Sequence, residues 1–138
     1  MTIPVAILLG FAGWTLATLA LPIGWYRWRR IFTGVAAIND FERDSVHPAG
    51  WYQRATRAHA NCLENLPIYT VLVFVITVTG IAHPALDVLS LVIMGARVVQ
   101  TTTHIAFVQT ARVVSVRFTF FSVQLVCMIA MGVIITRG

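Results

Sequence analysis

Arg54-Ala-Thr-Arg57-Ala-His-Ala-Asn61-Cys62-Leu-Glu64-Asn-Leu-Pro67 leads directly into an apolar run, Ile68 to Val78, that carries no charge. Wound at about 3.6 residues per turn, the stretch puts Arg54, Arg57, Asn61, Glu64 and Ile68 on one stripe of a helix. A charge at the centre of a bilayer costs roughly 2.5–3.5 kcal/mol on insertion scales, so ionisable groups in such a helix face a bundle interior or a ligand cavity. The stretch therefore predicts a membrane helix whose polar stripe serves assembly or function.

Composition agrees with that reading. The 138 residues are 58% hydrophobic and only 11% charged, with a mean hydropathy of +0.81, against about 25% charged residues in soluble domains. About 20 apolar residues cross a ~30 Å hydrocarbon layer as a helix, and the chain has room for four such spans with short connections. The fold class predicted is an all-α membrane protein, a single four-helix bundle over 1–138. The formal charge is +5, and every basic residue other than histidine is arginine. Because those arginines flank apolar spans, lipid headgroups and topology account for them better than nucleic acid does. Cys62 and Cys127 fall inside predicted spans and read as buried structural thiols. No metal-ligand spacing, nucleophile–base pair or glycine-rich phosphate loop is present.

The first span is expected over about 3–25, interrupted by Gly10, Gly13, Pro22 and Gly24. It lacks the basic start of a secretory signal and reads as a retained span. Trp25, Trp28, Trp51 and Tyr52 are expected as an interfacial belt. Between them lies a polar connection whose Asn39-Asp40, Glu42-Arg43-Asp44 and His47-Pro48-Ala-Gly50 are turn material. Further spans are expected over about 55–79, 86–108 and 113–136, with a hairpin at Gly80 and His83-Pro84. Arg27, Arg29, Arg30, Arg43, Arg112 and Arg117 sit on the first and third connections, whereas the other side holds only Arg137. The positive-inside rule then puts both termini on the non-cytoplasmic side.

If the second and third spans are antiparallel neighbours, their polar residues lie at comparable depth. Arg57, Asn61 and Glu64 cover seven residues, about 10 Å of axis, and so do Arg97, Gln100 and His104. The simplest register pairs Arg57 with His104, Asn61 with Gln100 and Glu64 with Arg97. Such a seam offers guanidinium forks for carboxylates, a carboxylate for an ammonium and amides for a peptide backbone. A small zwitterion with more than one carboxylate fits it. A thiol fits as well, since a nearby cation favours the thiolate, which is the nucleophile. Plainer readings stand beside these: Glu64 with Arg97 as a structural ion pair, Asn61 with Gln100 as interhelical glue, and His104 as a hydrogen-bonded residue near a helix end.

The motif Arg54-x-x-Arg57-Ala58-x-x-Asn61-Cys62-x-Glu64-x-x-Pro67 closely resembles the second-helix signature of the membrane-associated proteins in eicosanoid and glutathione metabolism, the MAPEG family. Arg29-Arg30-x-Phe32 and Ala96-Arg97 support the match, which covers four spans in the same order. The resemblance implies a homotrimer that binds glutathione as co-substrate between subunits near the cytoplasmic face, with a lipophilic electrophile arriving from the bilayer. By that analogy Arg57, Asn61 and Glu64 hold the glutathione carboxylates, backbone and ammonium, with Arg97 and Arg30 as further ligands. Arg54, Gln100 and His104 complete the candidate binding set. The family also implies an arginine at the start of the fourth span that stabilises the thiolate. Arg117, followed by Phe118-Thr-Phe-Phe, is the first choice here and Arg112 the second. Gln100, His104 and Asn65 stand where the eicosanoid synthases carry other, mostly aromatic, residues.

These residues predict a transferase or peroxidase that conjugates lipophilic electrophiles or reduces lipid hydroperoxides in detoxification, rather than a dedicated eicosanoid synthase. A non-catalytic glutathione- or lipid-binding scaffold is the alternative. A small proton-coupled transporter built on Glu64 ranks last, because a lone coupling acid does not call for Arg57 and Arg97 around it. Arginine-only usage and the absence of a retention tail fit a bacterial inner membrane, with an endoplasmic reticulum-type membrane as the alternative.

Overall fold

The computed structural model describes residues 1–38 and 50–137. The turn material expected over 39–49, including Arg43, lies outside the described residues, and Gly50, expected as turn, is instead helical. The described residues form α1 (Ile3–Thr18), a π-helical turn (Leu19–Gly24), α2 (Trp25–Phe32), α3 (Gly50–Thr79), α4 (Pro84–Ala106) and α5 (Ala111–Arg137), with no strand among them. Four segments are long and apolar enough to cross a bilayer: Ile3–Phe32, Gly50–Thr79, Pro84–Ala106 and Ala111–Arg137. The protein is an integral, multi-pass membrane protein.

The first span runs further than its glycines and proline suggest. Pro22 has no N–H to donate and its ring crowds the carbonyl one turn earlier, and the chain accommodates it by widening Leu19–Gly24 into a π-helical turn. The helix then continues through the aromatic and arginine-rich segment as α2. The second helix also begins earlier than expected, at Gly50. Its 30 residues give about 45 Å of axis, so roughly ten residues project beyond a ~30 Å hydrocarbon layer. Gly80, at φ +68°, makes the tight reversal after α3 that only glycine adopts without strain. His83 then caps α4, its Nδ1 accepting the Ala85 N–H at 3.1 Å, and Pro84 occupies the first turn, where its missing donor is harmless.

Packing follows the apolar stripes. α1 lies against α3 and α4, and α5 shares its most extensive contact with α4. The centre of the bundle is Phe11, Cys62, Tyr69, Val73, Leu86, Ile93, Met128 and Met131. The buried face of α3 is Tyr52, Ala55, Ala58, Cys62, Asn65, Tyr69, Val73 and Ile76. This stripe is turned one residue, about 100°, from the Arg54–Ile68 stripe read from the sequence. Arg57, Glu64 and Ile68 are consequently exposed on the single chain, while Arg54 and Asn61 are half-buried.

The aromatic belt needs one correction. Trp25, at 69% exposure, and Trp28, at 59%, face outward as expected, but Tyr52 is only 8% exposed. Its ring lies 4.5 Å from that of Tyr26, and its hydroxyl accepts from Arg27 Nε at 2.8 Å. Tyr52 is thus a joint between the first span and α3.

Candidate functional site

α3 and α4 pack antiparallel and bring the two polar sets to the same level. Arg54 Nε donates to the Ile105 carbonyl at 3.2 Å, Arg97 Nη1 donates to the Asn61 carbonyl at 3.3 Å, and Cys62 Sγ lies 3.6 Å from Thr101 Oγ1. These contacts bracket the register read from the sequence to within one helical turn. The individual partners differ, however. Glu64 does not close a salt bridge on Arg97, although its charge is within electrostatic reach. Asn61 does not pair with Gln100.

The reason is direction. The α4 residues Arg97, Gln100 and His104 point into the protomer, at 1%, 4% and 2% exposure, whereas Glu64 lies on the exposed edge of α3. Arg97 sits over the Phe11 ring, 5.2 Å from its centroid, a cation–π contact in a dry interior. Its Nε and Nη2 have no acceptor. Gln100 is taken by α5: Gln124 Nε2 donates to Gln100 Oε1 at 2.9 Å and to the Phe120 carbonyl at 2.8 Å. Neither ring nitrogen of His104 has a partner, so the hydrogen-bonded helix-end reading of this residue is corrected.

At the arginine-rich end a second grouping forms. His104 lies in the combined field of Arg117, Arg57 and Arg54, and Arg117 in that of Arg57. α3 supplies Arg54 and Arg57, α4 supplies His104 and α5 supplies Arg117. Arg117 is half-buried with an unpartnered Nε, while Arg112 is exposed. Among the described residues no carboxylate joins these arginines; like charges gathered in this way repel one another, and an anion removes that repulsion. Arg54 and Arg57 also sit in the first third of α3, the polar end of a helix longer than a hydrocarbon layer is thick, which suits a water-borne anion. Arg30 stands apart from this group in the single chain, donating through Nη1 to Tyr26 Oη at 2.8 Å on its own helix.

Some of the chemistry was missed from the sequence. Gln124, fully buried in α5, was detectable as a lone amide in an otherwise apolar span. His59, whose Nδ1 lies 3.0 Å from Thr18 Oγ1, gave no signal that separated it from a surface residue. Cys62 and Cys127 are free and buried, as expected. Among the described residues no group of three His, Cys, Asp or Glu is placed to hold a metal ion.

The model of the MAPEG family matches residues 4–137, nearly the whole chain. The chain belongs to the MAPEG family. Comparison with curated proteins and with solved structures finds no match. The family includes glutathione transferases and peroxidases among other members, and its members use glutathione.

Proposed function

We propose that this MAPEG protein is a glutathione-dependent membrane transferase or peroxidase that works on lipophilic electrophiles or lipid hydroperoxides. The observation that carries the proposal is the convergence of Arg54, Arg57, His104 and Arg117 from three helices, with buried nitrogens on His104 and Arg117 that have no hydrogen-bond partner. In this reading Arg57 meets a glutathione carboxylate, Asn61 its backbone and Glu64 its ammonium. Arg117 faces the sulfur and favours the thiolate, each unit of thiol pKa corresponding to about 1.4 kcal/mol. The thiolate then attacks the electrophile. Arg97, buried over Phe11, acts in this scheme by fixing the Asn61 turn of α3 through its bond to the Asn61 carbonyl.

The proposal includes a homotrimer with both termini on the non-cytoplasmic side. Glu64 is exposed on the single chain at a depth where contact with acyl chains is costly, and a neighbouring subunit laid over that edge of α3 would cover it. Arg30 would reach the ligand only from such a neighbour. Ultraviolet absorbance of the thiolate on mixing glutathione with detergent-purified protein, together with conjugation of a generic electrophile, tests the activity. A thiolate signal and turnover, both lost in Arg117→Ala, are expected. Their absence in the wild type contradicts the proposal.

A second reading, a glutathione-binding protein without turnover, draws on one observation. Gln100, on the seam where the binding set was expected, is occupied by Gln124. It predicts thermal stabilisation by glutathione with no thiolate and no conjugate.

A further inference from the structure

Apart from the cationic cluster, a narrow crevice of about 220 Å³ lies between the first span and α4. Trp14, Ala17, Thr18 and Pro22 form one wall, and Ile105 and Ala106 line the other. Its origin is local. The π-helical turn around Pro22 breaks the regular approach of the first span to α4, and Ala17 and Ala106 are too short to fill the gap. His59 of α3 meets the hydroxyl of Thr18, a crevice residue, at 3.0 Å, which puts α3 beside the crevice. Its volume is below the roughly 300–1,000 Å³ of pockets that enclose a drug-sized molecule, and it suits a single hydrocarbon chain entering sideways.

The charge at one end identifies the head that goes with the chain. Arg54 donates to the carbonyl of Ile105, itself a crevice residue, and Arg27 is tied to Tyr52, two residues before Arg54. Arg29, Arg30 and Arg57 carry further positive charge toward this end. The described carboxylates are Glu64, ten residues along α3 from Arg54, and Asp87 at the opposite end of α4. Neither of these two is placed to neutralise Arg54, and a negative headgroup complements its charge at the crevice end.

We propose that the crevice holds one acyl chain of an anionic phospholipid, whose phosphate rests against Arg54 in the leaflet at the arginine-rich end. Arg54 is shared with the cationic group of the proposed function, but the test reads Trp14 beside the crevice and uses no glutathione, so the two proposals fail on different measurements.

Trp14 supplies the reporter. The full-length protein carrying Trp25→Phe, Trp28→Phe and Trp51→Phe keeps Trp14 as its sole tryptophan, and in nanodiscs its fluorescence is quenched by contact with brominated acyl chains. Brominated phosphatidylglycerol, added as a minor component, is expected to quench about fivefold more effectively than brominated phosphatidylcholine, the preference that one arginine near an anionic lipid provides. Arg54→Gln should remove the preference. Should that variant fail to assemble, high salt weakens the same headgroup attraction without a substitution. Ala17→Leu with Ala106→Leu, which fills the crevice, should reduce quenching by both lipids. Equal quenching by the two lipids in the Trp14-only protein overturns the choice of headgroup. Undiminished quenching after the crevice is filled, in protein that retains its melting transition, overturns the site itself.

Discussion

Arg112 and Arg117 are five positions apart on α5, yet only one has a site around it. Arg117 is half-buried in the field of Arg57 and presents an unpartnered Nε, whereas Arg112 is exposed. Arg117→Ala is therefore expected to lower turnover with a generic electrophile by about 100-fold or more, the usual loss when one preorganised donor to a developing anion is removed. Arg112→Ala should stay close to wild type in the same assay. Gln124 offers a stability test of a different kind. Truncating it alone, as Gln124→Leu, strands Gln100 in the interior and should cost about 1–2 kcal/mol, while Gln100→Leu with Gln124→Leu should come back near neutral. Thermal melting of the wild type and these two variants checks this. Polar groups in an apolar run need an explanation, and that is what singles out Arg57, Asn61 and Glu64 in the sequence. The inward turn of Arg97, Gln100 and His104 is not legible there, because periodicity gives the stripe on a helix and leaves its rotation relative to neighbours to packing that involves Phe11 and Gln124.

Helix number and order were legible from hydropathy alone, and the ends were less so. Apolar windows locate the part of a helix inside hydrocarbon, but α3 begins at Gly50, in a segment whose arginines and aromatics made it read as interface. The first span likewise continues through Pro22, because a wider turn removes the clash that proline makes in a regular helix. At the α3–α4 reversal, Gly80 has φ +68° and open space where a Cβ would project. Gly80→Ala thus changes backbone strain alone and is expected to destabilise the protein by about 1 kcal/mol. A fall in melting temperature, together with faster hydrogen exchange confined to this reversal, would bear that out. An unchanged melting temperature would show that the reversal relaxes at no cost.

The single chain leaves two features that a membrane tolerates poorly: Glu64 exposed on an apolar span, and a group of arginines with no described carboxylate among them. A neighbouring subunit and an anionic tripeptide, respectively, would answer them in the proposed function. Disuccinimidyl-type cross-linkers need lysine, which this chain lacks, so assembly is better read by native mass spectrometry. Trimers are expected from the wild type, and a shift toward monomer from Glu64→Arg, which adds a like charge to that face. The most direct test of the central claim is melting temperature against glutathione concentration, compared among wild type, Arg57→Ala and Arg117→Ala. Selective binding to the folded state adds stability as the logarithm of ligand concentration, about 2.7 kcal/mol at a hundredfold excess over Kd. A rising melting temperature in the wild type, flattened in both variants, is the predicted result. A flat wild-type curve, or a rise of the same size in Arg57→Ala, would contradict the account.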